Sequence, residues 1–509
     1  MRWLAVSRRI AALLALFVFA CASFSSTKPR YGGALRVELL ATSITLDPRG
    51  WKPGSRDFAT NERLAALVFD RLISLDNYGH FVPQLATEWS HDSSFRRWQF
   101  VLRAGVKFSD GQPLTPADAV AAIAPLLPQD LKVSTSGNSL VFQSSEPRPD
   151  LLELLASSRF FIYRVLPNGS LLGTGAFTVD ETASSSRSAA ADSASVTQPP
   201  VQHLRFTANE SCWAGRPFLN AIDVTLGVPP LRAFFDLQVG KAELVELAPD
   251  IVRRANQANT RVWASSPLTL YALRFDEARP QNEKLREALS LSLDRATMAG
   301  VLLQKQAEPA AALLPQWLSG YAFLFHAETD FERAKELRAS LPANVAGGAS
   351  PLHLQTDVSG DLARLLAERV AVNARQTGFS VQAPGKTAAR DANARSTEPA
   401  ELHLFAWRIA SLSPSEELHL LAKSQHVEEP KENNPADPDR RYAWERKILE
   451  ERKLMPLVAL PDYSGLAPTV RDWQPSPWGE WRLADVWLEP APAQKPSAPA
   501  VNTPTGARP

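Results

Sequence analysis

Hydrophobic and polar residues alternate along Trp98–Leu102, and this period of two predicts a half-buried β-strand. The dipeptide Asp110-Gly111 is typical of a tight turn, because glycine tolerates a positive φ and aspartate bonds its own backbone. Thr115, followed by a proline and then by Asp118 three residues on, predicts the capped start of a helix, and Pro128 predicts its end. The segment therefore encodes a strand, a turn and a helix in close succession.

The second half of the chain alternates between strand and helix patterns. Leu352–Thr356 and Phe379–Gln382 have the length and composition of strands, and Asp361–Thr377 between them repeats its apolar residues at helical spacing. A strand, helix and strand of this length predict a right-handed parallel crossover. Glu401–Trp407 predicts a further strand, and Asn61–Leu75, in the first half, predicts a helix.

The bulk properties indicate a folded protein of two or three lobes. Its 509 residues are too many for one compact core, and 45% of them are hydrophobic and 21% charged. The formal net charge is +1 at pH 7, and the sequence shows no basic stripe. A nucleic-acid partner is therefore not expected.

The N-terminus has the pattern of an export signal. Three arginines precede Ile10–Ala20, an apolar run that is too short to span a bilayer. Val18–Cys21 resembles a bacterial lipobox, in which Cys21 is lipidated, but Ala20-Cys21-Ala22 also fits an ordinary signal peptidase, and the sequence leaves both open. We expect residues 1–22 to be the signal peptide and 23–31 a tether. The protein would then lie in the periplasm or at the outer face of the cytoplasmic membrane, with or without a lipid anchor.

Two further segments are expected to be disordered. Residues 182–200 are low-complexity and almost without large apolar groups, and residues 490–509 are rich in proline and alanine. The second cysteine, Cys212, has no partner if Cys21 is lipidated or removed, so no disulfide scaffold is expected.

Five segments carry a resemblance to a known family. The most specific is Val82–Thr115, which is similar to the signature P-x-L-A-x-x-W … V-K-F-x-D-G-x-P-x-T. The other four are Tyr31–Pro48, Gly173–Phe177, Ala208–Leu219 and Phe275–Arg295. Taken in their order along the chain, the five segments resemble the extracytoplasmic solute-binding proteins of ABC importers, family 5. Members of this family bind oligopeptides, dipeptides and nickel chelates.

The resemblance implies an α/β, two-lobed periplasmic binding protein fold of type II, in the large peptide-binding class, with a hinge and an inter-lobe cleft. Lobe I would comprise residues 32–267 and 457–489, and lobe II residues 268–455. The implied function is the capture of peptides or a related small solute in the cleft, and its delivery to the permease and ATPase complex of an importer in the inner membrane. A monomer without a cofactor is expected.

The resemblance also implies where the ligand would be held. Trp407 and Arg408 stand at a strand end that forms the pocket wall in this family. Peptide-binding members carry, three residues after that tryptophan, an aspartate that holds the α-ammonium of the peptide. This chain has Ala410 there, followed by Ser411. A buried ammonium without a carboxylate partner would be heavily penalised.

Two interpretations of this departure follow. Either the ligand is not a peptide with a free amine, or another acid such as Asp276 substitutes. Arg408 is a candidate clamp for a carboxylate, because its planar fork accepts bidentate pairing. Ser411 and Tyr271, near the predicted hinge strand, are further candidate contacts.

Three alternatives to this interpretation can be weighed, and two of them stay open. No common hydrolase, metalloprotease or dinucleotide-binding motif is present, so an enzyme is not expected. His403 and His419 leave nickel or metal-chelate binding as a minor option. The missing acid at Ala410 and an abbreviated stretch between Trp407 and Lys453 favour a third option, a degenerate member that acts as an envelope scaffold, chaperone or sensor.

Overall fold

The computed structural model describes residues 28–55, 57–180, 202–276, 282–342, 351–384, 400–430 and 437–490. The predicted signal peptide with Cys21, the low-complexity segment 182–200 and all but the first residue of the predicted tail lie outside the described residues. We number strands and helices in chain order.

The described residues form short and long strands distributed over the whole chain. They are β1 (Ala34–Leu39), β2 (Ile73–Leu75), β3 (Phe81–Pro83), β4 (Ala86–His91), β5 (Arg97–Leu102), β6 (Leu131–Ser136), β7 (Ser139–Ser144), β8 (Arg164–Val165), β9 (Leu171–Leu172), β10 (Phe177–Val179), β11 (Gln202–Ala208), β12 (Ala221–Leu226), β13 (Leu244–Leu247), β14 (Arg261–Phe275), β15 (Glu308–Pro309), β16 (Leu352–Thr356), β17 (Val381–Gln382), β18 (Leu402–Arg408), β19 (Leu454–Leu466), β20 (Val470–Arg471) and β21 (Trp487–Leu488).

The α-helices lie between these strands. They are α1 (Phe58–Val68), α2 (Pro116–Ile123), α3 (Leu151–Leu155), α4 (Pro230–Gln238), α5 (Pro249–Gln257), α6 (Glu283–Ser292), α7 (Arg295–Thr297), α8 (Gln316–Ser319), α9 (Phe331–Ala339), α10 (Asp361–Gln376), α11 (Pro414–Ser424) and α12 (Pro438–Glu450).

One large mixed sheet organises the molecule. Its strand order is β10-β11-β12-β1-β13-β19-β14-β18-β16-β17, and β15 pairs with β19 beside this path. β1 is parallel to β12 and β13, and β16 is parallel to β17 and β18. The two long strands β14 and β19 pair antiparallel in the middle. A separate four-stranded antiparallel sheet has the order β4-β5-β7-β6.

Several local predictions are confirmed. β5 places Trp98, Phe100 and Leu102 in a core at 0–3% exposure, as its alternation predicts. The capping box at the start of α2 is formed, since Thr115 N–H donates to Asp118 Oδ2 at 2.9 Å and Asp118 N–H donates to the Thr115 hydroxyl at 3.3 Å. The crossover from β16 through α10 to β17 is parallel.

One predicted element is wrong in its extent. The helix expected over Asn61–Leu75 is α1, which ends at Val68, and residues 73–75 form β2 instead. Leu72 and Ile73 pack in a different core from Leu64 and Leu67. The helix must therefore end before Leu72 and Ile73 can reach that second core. Their burial there outweighs the helical spacing of the leucines in Asn61–Leu75.

The hydrophobic residues form separate cores, and these define the two lobes. The first core lies around β1, β12, β13 and α1, and the second lies under the four-stranded sheet. A third core joins the end of β14 to β16, β18, α6 and α10, with a smaller cluster between β18 and helices α11 and α12. We call the residues around the first two cores lobe I and those around the others lobe II. The independent core under the four-stranded sheet was not predicted.

The strands β14 and β19 contribute to both lobes. Trp263 of β14 and Tyr463 of β19 pack on the first core, whereas Phe275 and Leu457 pack on the third. Where the strands pass between lobes, Pro267 pairs with Pro461, and the register of β14 and β19 shifts on both sides of this pair. Proline has no N–H to donate to the ladder, so the sheet is interrupted at the crossing.

Candidate functional site

A small cavity lies between the lobes, where β18 ends at Arg408 and its chain continues into the loop 409–413. The cavity has a volume of about 50 Å³. Lobe II contributes Ile409, Ala410 and Ser411 to its wall, and lobe I contributes residues of α1, the segment 156–161 and the segment 478–480. Two positions that the sequence singled out, Ala410 and Ser411, therefore face a space shared by both lobes. We call this space the inner cavity.

Direct hydrogen bonds close the lobes against each other beside the inner cavity. The Leu412 N–H donates to the Ser157 hydroxyl at 2.9 Å, and the Ser413 hydroxyl donates to Asp150 Oδ2 at 2.6 Å. Next to them, Arg159 of lobe I pairs with Glu416 of lobe II at 3.2 Å. We call these three contacts the inter-lobe seam. The structure is thus in a closed arrangement.

Arg408 is buried between the lobes and is bound by carboxylates of the protein itself. Its side chain is 5% exposed; Nε donates to Glu62 Oε2 at 2.8 Å and Nη1 donates to Asp462 Oδ1 at 2.9 Å. Burial alone would lower the pKa of Arg408, but the attraction of Asp462 and Glu62 outweighs it and raises the pKa above its ordinary value. Because the guanidinium fork is already engaged, Arg408 is not free to clamp a ligand carboxylate in this arrangement.

Trp407 fills a core and orients the loop that follows it. It is 3% exposed and packs in the cluster beside α11. Its indole N–H donates to Glu417 Oε1 at 2.6 Å, and Glu417 Oε2 accepts the N–H groups of Ala410 and Ser411 at 3.0 and 2.7 Å. Burial raises the pKa of Glu417 to about 7, against the lowering effect of these donors. Glu417 therefore fixes the cavity wall at Ala410 and Ser411.

The sequence reasoning missed Glu417, although a signal for it was present. Ser413 caps α11 by accepting the Glu416 N–H, with Pro414 at the first helical position. A glutamate in the first turns of such a helix points its carboxylate back toward the preceding loop, whose N–H groups need acceptors.

Tyr271 and Asp276 do not line the inner cavity. Tyr271 pairs with Ala406 across the sheet and packs on the lobe II core. Thr269 of β14 is the strand partner of Arg408. Asp276 comes directly after β14, seven positions beyond Thr269. At about 3.3 Å per strand residue this places Asp276 roughly 23 Å along β14. The expectation that Asp276 substitutes for the acid missing at Ala410 is therefore wrong for this arrangement.

The carboxylates that do line the inner cavity are Glu62 and Glu480. Glu62 accepts hydrogen bonds from Arg408 and from the Ser158 hydroxyl, and Glu480 pairs with Arg71 at 2.6 Å. Burial would raise the pKa of Glu480, but Arg71 and Arg482 outweigh it and hold the pKa below its ordinary value. Both acids are already paired, Glu480 within lobe I and Glu62 across the lobes.

Two tryptophans meet in the lining of the inner cavity, and neither was predicted. Trp317 of lobe II and Trp478 of lobe I both line it, with ring centroids 4.9 Å apart at an angle of 42°. The indole N–H of Trp317 donates to the Pro267 carbonyl at 2.9 Å. The aromatic pair therefore adds a contact between lobes close to the point where β14 crosses.

The described residues contain no cluster of three or more histidine, cysteine or acidic side chains that could hold a metal ion. His403 pairs with Asp357 at 2.8 Å, and His419 pairs with a different acid, Glu429. Cys212 is a free thiol, and burial raises its pKa. Within the described part of the chain, no helix has the length and apolar character needed to cross a membrane.

The chain is similar to a family of bacterial binding proteins. The model of the bacterial extracellular solute-binding proteins, family 5, matches residues 80–429. The nickel-binding periplasmic protein of Escherichia coli is 22% identical over 372 residues, which cover 65% of this chain and 68% of that protein. The periplasmic murein peptide-binding protein of Escherichia coli is 23% identical over 299 residues, and the chain spans about half its length, 52%.

Solved structures share the fold at low sequence identity. The murein tripeptide-binding protein of Escherichia coli superimposes with a TM-score of 0.70 at 17% identity, covering 91% of this chain and 99% of that one. The oligopeptide-binding protein AppA of Bacillus subtilis, in complex with a nonapeptide, gives a TM-score of 0.69 at 16% identity over 91% of this chain and 100% of that one. These likenesses confirm the expected two-lobed α/β fold.

Proposed function

The chain belongs to the bacterial extracellular solute-binding proteins of family 5, and from this membership we propose that it captures a peptide or a related small solute between its lobes and delivers it to an ABC importer. The observation that carries the proposal is the inner cavity, which is walled by both lobes at the end of β18. A solute that touches both walls favours the closed state through its differential contacts.

The closed arrangement leaves little room in the inner cavity. A volume of about 50 Å³ holds only a few water molecules, at roughly 10–15 Å³ each. A solute of peptide size therefore enters after the seam contacts at Ser157 and Ser413 have separated. The interrupted ladder at Pro267 and Pro461 supports a hinge at this crossing, with lobe boundaries near residues 267 and 457.

The proposal also includes export of the protein and its interaction with the importer. The apolar run Ile10–Ala20 supports export, with Cys21 as the lipidation site if the lipobox is used. The permease and ATPase of an importer would recognise the closed form. We expect a monomer, because one chain supplies both lobes of the cleft.

A free metal ion is the less favoured cargo. The nickel-binding relative is similar over two thirds of its length, but the described residues offer no group of three metal ligands. A metal chelate brings its own ligands and can be bound through its organic part. The solute panel below therefore includes one.

Thermal unfolding and small-angle scattering with a solute panel test the proposal. The panel would contain dipeptides, tripeptides, N-acetylated dipeptides and nickel with histidine, and glucose and nickel chloride would serve as controls. A bound solute at a hundredfold excess over its Kd stabilises the folded form by about 2.7 kcal/mol, which raises Tm. Native mass spectrometry of protein purified from the envelope would show a co-purified solute.

The proposal fails if every panel member leaves Tm and the scattering profile unchanged and the purified protein carries no small molecule. That result would favour the scaffold alternative, since a scaffold has no need to respond to small solutes.

A further inference from the structure

A second and much larger space lies between the lobes, next to the Arg159–Glu416 pair of the seam. Its volume is about 590 Å³, within the range of about 300–1,000 Å³ for small-molecule sites. On the lobe I side it is lined by residues 125–130 with Arg148 and Arg159, and on the lobe II side by residues of α11 and α12. We call this space the outer groove.

Some charged side chains of the outer groove are satisfied within the protein. Arg148 pairs with Asp130 at 2.6 Å, and Arg159 pairs with Glu416 at 3.2 Å. Each of these pairs cancels its own charge. The carboxylate of Glu429 is hydrogen-bonded to the ring of His419.

The cations that remain all belong to lobe II. Neither Lys423 nor Arg441 forms an ion pair with a carboxylate of the described residues, and Arg440 has only a loose pair with Asp437 at 3.5 Å. Of the groove acids without a close arginine or lysine partner, Glu146 lies on lobe I and faces Arg96 at 3.9 Å, and Glu429 lies on lobe II. The lobe II wall of the groove thus carries Lys423, Arg440 and Arg441 against Glu429, which leaves an excess of positive charge.

Arg441 is held in place but incompletely bonded. Its Nη1 donates to the Ser415 hydroxyl at 3.1 Å, and its guanidinium lies 5.5 Å from the ring centre of Tyr321. Its Nε is buried and has no hydrogen-bond partner among the described residues. The buried Glu445 attracts Arg441 without forming an ion pair with it. A solute carboxylate in the groove can therefore still form a charge-assisted pair with the guanidinium.

Apolar side chains complete both walls of the outer groove. Trp444 and Leu420 line the lobe II side and pack on the core cluster beside β18, and Leu126 and Leu127 line the lobe I side. A solute with an apolar body would contact both lobes at once, and its burial would add to binding in proportion to the area removed from water.

We propose that the outer groove binds a solute that has an apolar body and a terminal carboxylate, with the carboxylate paired to Arg441 and Lys423 and the body between Leu127 and Trp444. This inference rests on the proposed function and names the class of its solute. A solute held by its carboxylate does not require an acid at position 410, where this chain has Ala410.

Calorimetric titration with a matched pair of probes tests the inference. The probes are N-acetyl-leucyl-leucine and the same compound with a C-terminal amide, which differ in the one charge. We expect the acid to bind at least about tenfold more tightly than the amide, because charge-assisted pairs with arginine and lysine are lost in the amide. The preference should shrink as salt is raised.

Substitutions at the two proposed carboxylate partners test where the acid probe binds. Arg441→Gln and Lys423→Gln should each weaken binding of the acid by about tenfold and leave binding of the amide unchanged. Lys423 is exposed on α11, so its variant is expected to fold even if Arg441→Gln does not. Arg446→Gln is the matched control, since Arg446 lies on the same helix as Arg441 but outside the groove and pairs loosely with Glu450 at 3.6 Å.

Equal affinity for acid and amide, no binding of the acid, or wild-type affinity in both groove variants would overturn the inference. If peptides of the wider panel still stabilise the protein in that case, only the outer groove is excluded and solute capture stands. If nothing in the panel binds, the proposed function itself has failed.

Discussion

The guanidinium of Arg408, at the end of a strand in lobe II, lies 2.8 Å from Glu62 on a helix of lobe I. It also lies 2.8 Å from Asp462, on the strand that crosses between the lobes. Burial is unfavourable for an ionised group unless it is paired, and here the pairing is complete only when the lobes meet. In this closed arrangement the protein thus carries an ionic contact between its lobes.

Glu62→Gln should loosen this closure without removing the partner of Arg408 on β19. We expect the radius of gyration of the solute-free protein to increase and the free energy of unfolding to fall by about 1–3 kcal/mol, because one hydrogen-bonded charge pair is lost. Scattering and urea unfolding measure the two effects. Arg446→Gln, which removes an exposed pair, is expected to change stability by less than about 0.5 kcal/mol. An unchanged radius in Glu62→Gln would contradict the role of this pair.

Gly479→Ala should be more destabilising than the same substitution at a glycine in open space, because the side chains that it meets are buried and Arg408 is held by ion pairs. A Cβ on Gly479 would lie 2.6 Å from Leu268 and 2.8 Å from the Arg408 guanidinium, and the residue has a φ of +81°. Gly240→Ala is the matched control, because Gly240 has a φ of +71° but no atom within 4 Å of an added Cβ. Both variants pay about 1 kcal/mol for the positive φ. We expect Gly479→Ala to cost at least about 1 kcal/mol more than the control in urea unfolding, and equal costs would exclude the close packing around Arg408.

Stability should depend on pH through two buried acids of lobe II. Burial raises the pKa of Glu417 and of Glu445 from an ordinary 4.5 to about 7, in each case against hydrogen-bond donors that lower it. Between these values the folded form holds a proton that the unfolded form has released. This contribution to stability is therefore full below about pH 4.5, is lost as pH rises to about 7 and is constant above it.

Urea unfolding at pH 5.0 and 7.5 measures this contribution. A shift from 4.5 to about 7 corresponds to roughly 3 kcal/mol for each acid over its whole titration, at about 1.36 kcal/mol per pKa unit, and to less than that between pH 5.0 and 7.5. Glu417→Gln should reduce the loss of stability between the two pH values. Glu332→Gln, at an acid whose side chain is 82% exposed, should leave the loss unchanged. If the two variants behave alike, Glu417 does not titrate in this range.

The contact between Trp317 and Trp478 should contribute to closure. The rings lie 4.9 Å apart and come from different lobes. A double-mutant cycle with Trp317→Leu and Trp478→Leu is expected to give a coupling of about 0.5–1.5 kcal/mol in urea unfolding. The near-ultraviolet circular dichroism of both single variants should change in the same way, since each removes the same pair. Additive effects of the two substitutions would mean that the rings are not in contact in solution.

Local sequence patterns were sufficient where neighbours in the chain decide the structure. The alternation in β5, the capping box of Thr115 and Asp118, and the crossover from β16 to β17 were all predicted and are present. The family resemblance led to Ala410 and Ser411, which line the inner cavity. The end of α1 at Val68 was missed, because residues 72 and 73 are drawn into a core made by distant segments.

The sequence by itself determined the family, the α/β fold and the position of the strand end beside the cleft, since these follow from short-range periodicity and recognisable motifs. Only the tertiary structure decided the roles of individual side chains there. It paired Arg408 with Glu62, which is 346 residues away along the chain, and bonded Trp407 to Glu417. It also placed Asp276 away from the inner cavity. The physical reason is that a buried charge takes whichever partners the packing of distant segments brings within hydrogen-bond distance, and sequence spacing carries no record of that packing.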